Sequence, residues 1–179
     1  FDKFPGLKYC VVECGSWWVG DLLWKADVNF GASWKIKKMS SRMKGLLTKL
    51  PSEYFGDSVF IGASTMSRYE IRERHRNGID ALMWGTDYPH PEGSWPNTVH
   101  RLENDFQDVS IEDTRRLLGL NAIECYDLDV EGLTTVANRI GPTPEKLNQD
   151  PSLRTSPTAK RDARWWFDEY GIEWSGPEN

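Results

Sequence analysis

Three short apolar runs, each followed by sequence of helical character, constrain the fold of this chain most strongly. The runs are LKYCVVE at residues 7–13, SVFIGA at 58–63 and IDALMWGT at 79–86. Their apolar residues are continuous rather than alternating, which is typical of strands covered on both faces of a parallel sheet. The order strand, helix, strand, helix, strand, helix therefore predicts an α/β fold with a parallel sheet.

The segments between and after these runs are predicted to be helical. The charged segment 66–78 pairs Glu70 with Arg74 at helical spacing and ends at Gly78 as a C-terminal cap. Ser110 begins a capping box that opens another helix. The predicted helices cover residues 16–30, 66–78, 98–106, 110–118, 120–128 and 130–140.

The bulk composition excludes some classes of function. With 179 residues, 39% hydrophobic and 27% charged, the chain has the composition of a globular domain with a core. A net charge of −5 argues against a nucleic-acid partner, and no run approaches the roughly 18 apolar residues of a membrane span. Three cysteines without a CxxC pair indicate reduced thiols and a cytoplasmic location.

Residues 33–52 form a basic run without any acidic residue. This run is either a solvated helix face or a positive rim that attracts a small, carboxylate-bearing substrate. Its charged residues are Lys35, Lys37, Lys38, Arg42, Lys44 and Lys49.

Two acidic residues stand where strands are predicted to end. Glu13 closes the first strand and Asp87 follows the third, and the carboxyl edge of a parallel sheet is where ligands bind. A carboxylate there needs a cationic partner, which is a lysine, an arginine or a metal ion, unless it caps a helix or braces a loop. Prolines on both sides of His90 fix its backbone near Asp87, as a metal site or an acid–base pair requires. Glu92 lies in a looser part of this loop and is predicted to be structural or to face the substrate.

Four stretches resemble a known family. They are FDKFPGLKYCVVECGSWW (1–18), PSEYF (51–55), ALMWGTDYPHPEG (81–93) and SIEDTRRLLGLNAIECYDLD (110–129), which contains the pair Asn121-Ala122. Together they resemble the amidohydrolase-related family of the amidohydrolase 2 type, which includes aminocarboxymuconate-semialdehyde decarboxylase and metal-dependent hydrolases.

The resemblance implies a TIM-type (β/α)8 barrel, of which residues 1–140 would be the C-terminal portion with strands six to eight. It further implies a divalent metal, commonly zinc, with Asp87 as the strand-eight aspartate that binds the metal or takes a proton from its water. His90 matches a position that the family often fills beyond this aspartate, and Glu13 stands where decarboxylase members have a histidine.

The histidine content sets the remaining expectations. The chain has three histidines and no HxH pair, so we expect the first five strands upstream of Phe1 and an inactive chain when it is isolated. For the whole enzyme we expect metal-dependent hydrolysis with Asp87, Glu13 and His90 as catalytic residues. Nonoxidative decarboxylation on the same site and a noncatalytic, Trp-rich interaction module are the alternatives. Residues 141–179 are predicted to form an extended C-terminal arm suited to homodimer formation.

Overall fold

A computed structural model describes residues 1–33 and 47–147 of the chain. The strands are Tyr9–Cys14 (β1), Val59–Ser64 (β2) and Leu82–Gly85 (β3). The α-helices are Val19–Ser33 (α1), Arg68–Arg72 (α2), Thr98–Phe106 (α3), Ile111–Arg115 (α4), Asn121–Tyr126 (α5), Val130–Ile140 (α6) and Pro144–Leu147 (α7). Single turns of tighter or wider helix occupy Pro51–Tyr54, Ile79–Ala81 and Arg116–Leu120.

The three strands form one parallel sheet in the order β1-β2-β3. Val11 lies opposite Ile61 in the first pairing, and Ile61 lies opposite Leu82 in the second. The predicted α/β fold with a parallel sheet and intervening helices is therefore confirmed. All three strands end at the same edge, as parallel pairing requires.

The sheet is covered on both faces. On one face Ile61 and Leu82 join the main core, together with α1, α2 and α3. On the other face Phe60 and Met83 pack against Cys125 of α5. Since neighbouring strand residues point to opposite faces, this arrangement explains why the predicted runs are continuously apolar.

The helix predicted at 66–78 is shorter in the structure, and the predicted ion pair between Glu70 and Arg74 is wrong. Helix α2 has a full capping box, in which Ser67 accepts from the Glu70 N–H and Glu70 bonds back to Ser67. After Arg72 the chain continues in turns, and Arg74 donates to Asp113 at 2.7 Å instead of pairing with Glu70. The Glu70 carboxylate is buried and binds Ser16 and Ser67.

The start of the predicted C-terminal arm is helical where the structure describes it. Residues 144–147 form α7, and Leu147, at 2% exposure, packs into the main core. Residues 148–179 lie outside the described part, as do Lys35, Lys37, Lys38, Arg42 and Lys44 of the basic run.

One lysine of the basic run lies within the described residues. Lys49, the described lysine of the basic run, pairs with Asp57 at 2.7 Å and lies 4.6 Å from the ring centre of Tyr54.

Within residues 1–33 and 47–147, no helix combines the length and apolar character that crossing a bilayer requires.

The ion pair between Arg74, in the turns after α2, and Asp113 of α4 predicts that the stability of the fold depends on pH. Burial alone would raise the pKa of Asp113, but the hydrogen bond and charge of Arg74 outweigh it and hold the pKa below its ordinary value of 3.8. The ion pair therefore stabilises the fold at a pH above the ordinary pKa of aspartate. This stabilisation disappears as the pH falls through the lowered pKa that Asp113 has in the folded protein. We expect Asp113→Asn to remove about 1 kcal/mol at pH 6 and less near pH 2.5.

Urea unfolding at the two pH values measures this difference directly. Glu112→Gln, a charge change at the exposed neighbouring residue, is the matched control and should leave both values within about 0.5 kcal/mol of the wild type. An equal loss in Asp113→Asn at both pH values would contradict the assignment.

Candidate metal centre at the carboxyl edge of the sheet

Near the end of each strand lies a non-glycine residue with left-handed backbone conformation. It is the penultimate residue of β1, the first residue after β2 and the second residue after β3. The φ angles are 54° at Glu13, 45° at Thr65 and 59° at Asp87. Such positions cost free energy for residues with a Cβ atom, and they concentrate at functional sites. Because all three lie at one edge of the sheet, this edge is the candidate functional site.

Three metal-binding side chains converge in the loop that follows β3. The Nδ1 atom of His90 lies 3.5 Å from Oδ2 of Asp87 and 3.8 Å from Oε1 of Glu92. One ligand atom from each of the three residues lies within 4.8 Å of the other two. The Asp87 side chain is 12% exposed, whereas those of His90 and Glu92 face solvent. The cluster is therefore open on one side and anchored on the other.

Backbone hydrogen bonds hold this loop in shape. The Ser94 N–H donates to the Thr86 carbonyl at 2.8 Å and closes the loop at its base. Inside it, the His90 N–H donates to the Asp87 carbonyl at 2.8 Å, and the Gly93 N–H donates to the His90 carbonyl at 3.0 Å. These bonds fix Asp87 and His90 relative to each other independently of any ligand.

Gly93 is required by a close approach of backbone atoms. A Cβ atom at this position would lie 2.8 Å from the Thr86 carbonyl oxygen, 2.9 Å from that of His90 and 3.0 Å from that of Asp87. Because all three contacts are to backbone, no side-chain rotation can relieve them. The glycine of the DYPHPEG motif thus permits the loop that brings His90 and Glu92 to Asp87.

The donor set fits a divalent transition metal. Two carboxylates and a neutral imidazole carry a charge of −2 and include the oxygen and nitrogen ligands that zinc takes in proteins. Ligand atoms about 2.1 Å from a tetrahedral ion are roughly 3.4 Å from each other, close to the 3.5 and 3.8 Å observed here. Asp87, His90 and Glu92 are the residues that would hold the ion.

Glu13 lies at the same edge but on a different strand from the cluster. Glu13 and Asp87 do not emerge from neighbouring strands, because β2 lies between β1 and β3. Strands two positions apart are separated by about 10 Å. Glu13 is exposed and occupies a bulge where the register of β1 shifts between Val12 and Cys14, so its carboxylate projects toward solvent at the rim rather than into the cluster.

Two buried charged side chains stabilise this edge of the sheet through hydrogen bonds, and local spacing in the sequence predicts this role for neither of them. Glu70 accepts hydrogen bonds from the N–H and hydroxyl of Ser16, just after β1, and from Ser67, after β2. Arg101, buried beside Asp105 at 2.9 Å, also donates to the Thr65 carbonyl at 3.5 Å. The Thr65 N–H in turn donates to the Gly85 carbonyl at 2.8 Å. The ends of the three strands are thereby tied together.

The tryptophans divide between the core and the surface. Trp18 and Trp84 pack against the main core. Trp17 and Trp95 are 64% and 67% exposed, and Trp95 meets Tyr88 edge to face at 5.8 Å in the cluster loop. His75 is exposed, and its Nε2 lies 3.1 Å from Oδ2 of Asp113. His100 is exposed and lies outside the described group of three donors.

The family comparison agrees with this geometry. The family model described as Amidohydrolase matches residues 1–128, which contain the whole sheet, Glu13 and the Asp87–His90–Glu92 cluster. The chain belongs to the amidohydrolase family. Members of this family are in general metal-dependent hydrolases or decarboxylases. No curated protein matches the chain.

Proposed function

We propose that this chain supplies the metal-binding edge of a metal-dependent hydrolase, with its three strands as strands six to eight of a (β/α)8 barrel. The observation that carries the proposal is the convergence of Asp87, His90 and Glu92 at the carboxyl edge of a parallel sheet in a chain of the amidohydrolase family. The parallel order β1-β2-β3 supports the barrel assignment, since consecutive strands of a barrel are neighbours. Zinc is the proposed ion because the donors are two carboxylates and an imidazole.

When bound, such an ion acts as a Lewis acid and makes water acidic enough to react near neutral pH. The residues of the chain then have separate tasks. Asp87 orients the attacking water and accepts its proton, a task that suits a carboxylate with little solvent contact and a fixed backbone. His90 completes the donor set, with its Nδ1 atom 3.5 Å from the Asp87 carboxylate. Glu13, on the rim, positions a small substrate whose carbonyl-type carbon is attacked, and a carboxylate on that substrate would suit the basic run.

A metal-depletion experiment tests the reaction class. We expect the longest polypeptide that the gene encodes around this chain to hydrolyse some members of a panel of p-nitrophenyl esters and anilides. Dialysis against a chelator should lower the rate at least tenfold or so, and one equivalent of zinc should restore it. Hydrolysis that persists without metal would contradict the proposal.

Carbon dioxide release from aromatic carboxylic acids is measured on the same preparations. Its appearance without ester or anilide hydrolysis would replace the hydrolase by the alternative decarboxylase. A polypeptide that takes up no metal and turns over neither class of compound would favour the interaction module.

A further inference from the structure

Two cysteines from distant parts of the chain share one small apolar cluster. Cys10 is the second residue of β1 and Cys125 lies in α5, and both pack with Phe60 and Met83 on the face of the sheet opposite the main core. Both thiols are free, and Cys10 packs against the cluster that contains Cys125. The fold has therefore brought two thiols into one small cluster without joining them.

The two thiols differ in how readily a reagent can reach them. Cys10 is half-buried, whereas Cys125 is only 8% exposed. The Tyr126 hydroxyl donates to Cys10 Sγ at 3.5 Å and so holds this sulfur beside the end of α5. Burial and the neighbouring Cys10 raise the pKa of the Cys125 thiol to about 11. Cys10 is thus the thiol that a reagent from solvent meets first.

We propose that Cys10 and Cys125 form a redox-active thiol pair, which a hydroperoxide converts into a disulfide between β1 and α5. In the first step the Cys10 thiolate attacks a peroxide oxygen, the O–O bond breaks, and sulfenic acid and water form when the peroxide is hydrogen peroxide. In the second step the Cys125 sulfur displaces water from the sulfenic acid and forms the S–S bond. Overall, two thiols lose two electrons and two protons, and one peroxide is reduced to two waters.

The third cysteine cannot pair with Cys10, and it packs against the main core rather than in the cluster of Cys125. Cys14 lies on the same strand as Cys10, four residues further on, so their Cα atoms are about 13 Å apart. Disulfides require Cα atoms within about 7 Å. The Cys14 thiol instead donates to the Val11 carbonyl at 3.8 Å.

The position of the pair separates this proposal from the proposed function. Cys10 lies near the start of β1, whereas the Asp87 cluster lies beyond the end of β3, at the opposite edge of the sheet. Oxidation should therefore staple β1 to α5 and leave the metal ligands unchanged. Either proposal can fail without the other.

The test is oxidation of the whole chain with hydrogen peroxide, followed by thiol counting in denaturant and peptide mapping. We expect the count to fall from three thiols to one, with Cys10 and Cys125 recovered in one cross-linked peptide that a reductant separates. The urea midpoint of the oxidised protein should be higher, because the cross-link closes a long loop in the unfolded chain. Sulfenic acid on Cys10 with Cys125 still a thiol, or a cross-link that includes Cys14, would overturn the proposal.

Three variants sharpen this result. Cys14→Ser is the matched control and should form the same cross-link at the wild-type rate. Cys10→Ser should leave Cys125 reduced, because no exposed partner relays the oxidation. Tyr126→Phe keeps both cysteines and should slow cross-linking several-fold, so it tests the order of events even if Cys10→Ser is poorly folded. A wild-type rate in Tyr126→Phe would overturn the role of Cys10 as the first thiol attacked.

Discussion

Replacing Asp87 by asparagine is expected to lower the affinity of the protein for zinc by at least about 100-fold and to leave its fold intact. The change removes the negative charge from the least exposed of the three donors but keeps its shape. Asparagine also tolerates the left-handed backbone at this position, where φ is 59°. A loss of metal in this variant therefore reports on the carboxylate and not on unfolding.

The measurement is competition for zinc against a chromophoric chelator, with elemental analysis of the dialysed protein. Asp127→Asn is the matched control, because Asp127 is an exposed aspartate with φ of 53° at the end of α5, remote from the cluster. It should bind zinc like the wild type. His90→Ala and Glu92→Gln should each weaken binding, while Glu13→Gln should not. Wild-type affinity in Asp87→Asn would remove Asp87 from the metal site.

The sequence predicts the parts of this site that local patterns encode. Three apolar runs were sufficient to place the strands, and the acids at their ends identified the carboxyl edge. Asp87 and His90 are predicted as site residues because prolines mark a rigid loop directly after a strand. Glu92 is predicted only to be structural or to face the substrate, since the closure of the loop depends on the hydrogen bond from Ser94 to Thr86, which spacing alone does not reveal.

What the sequence did not predict depends on partners that are distant along the chain. Glu70 has the right spacing for an ion pair with Arg74, yet its carboxylate is taken by Ser16, 54 residues away. Arg74 in turn meets Asp113, 39 residues away. Helical spacing gives only a few tenths of a kcal/mol to a local pair, so buried long-range hydrogen bonds decide the outcome. The strand order, with β2 between Glu13 and Asp87, depends equally on tertiary pairing.

Asn121 is another residue whose hydrogen-bond partners lie far away along the chain. Its replacement is expected to have the largest effect on the stability of the fold. The sequence identified Asn121-Ala122 only as part of the family resemblance. In the structure Asn121 is fully buried, and its amide donates to the carbonyls of Ile79 at 2.7 Å and Leu82 at 2.6 Å. It fixes the start of β3, the strand that leads to Asp87.

We therefore expect Asn121→Ala to lower the free energy of unfolding by about 3–4 kcal/mol. Two carbonyls lose their donor in a place that is closed to water, at roughly 1–3 kcal/mol for each unsatisfied group, and a small cavity adds to this loss. Asn121→Asp keeps the volume but should be at least as destabilising, because its carboxylate faces the same two carbonyl oxygens.

Urea unfolding followed by circular dichroism measures these changes, with unchanged m-values as the check on two-state behaviour. Asn97→Ala is the matched control, because Asn97 is exposed and makes no side-chain cap hydrogen bond at the start of α3. It should stay within about 0.5 kcal/mol of the wild type. A loss below about 1 kcal/mol in Asn121→Ala would mean that water replaces the amide, and that Asn121 does not hold β3 in place.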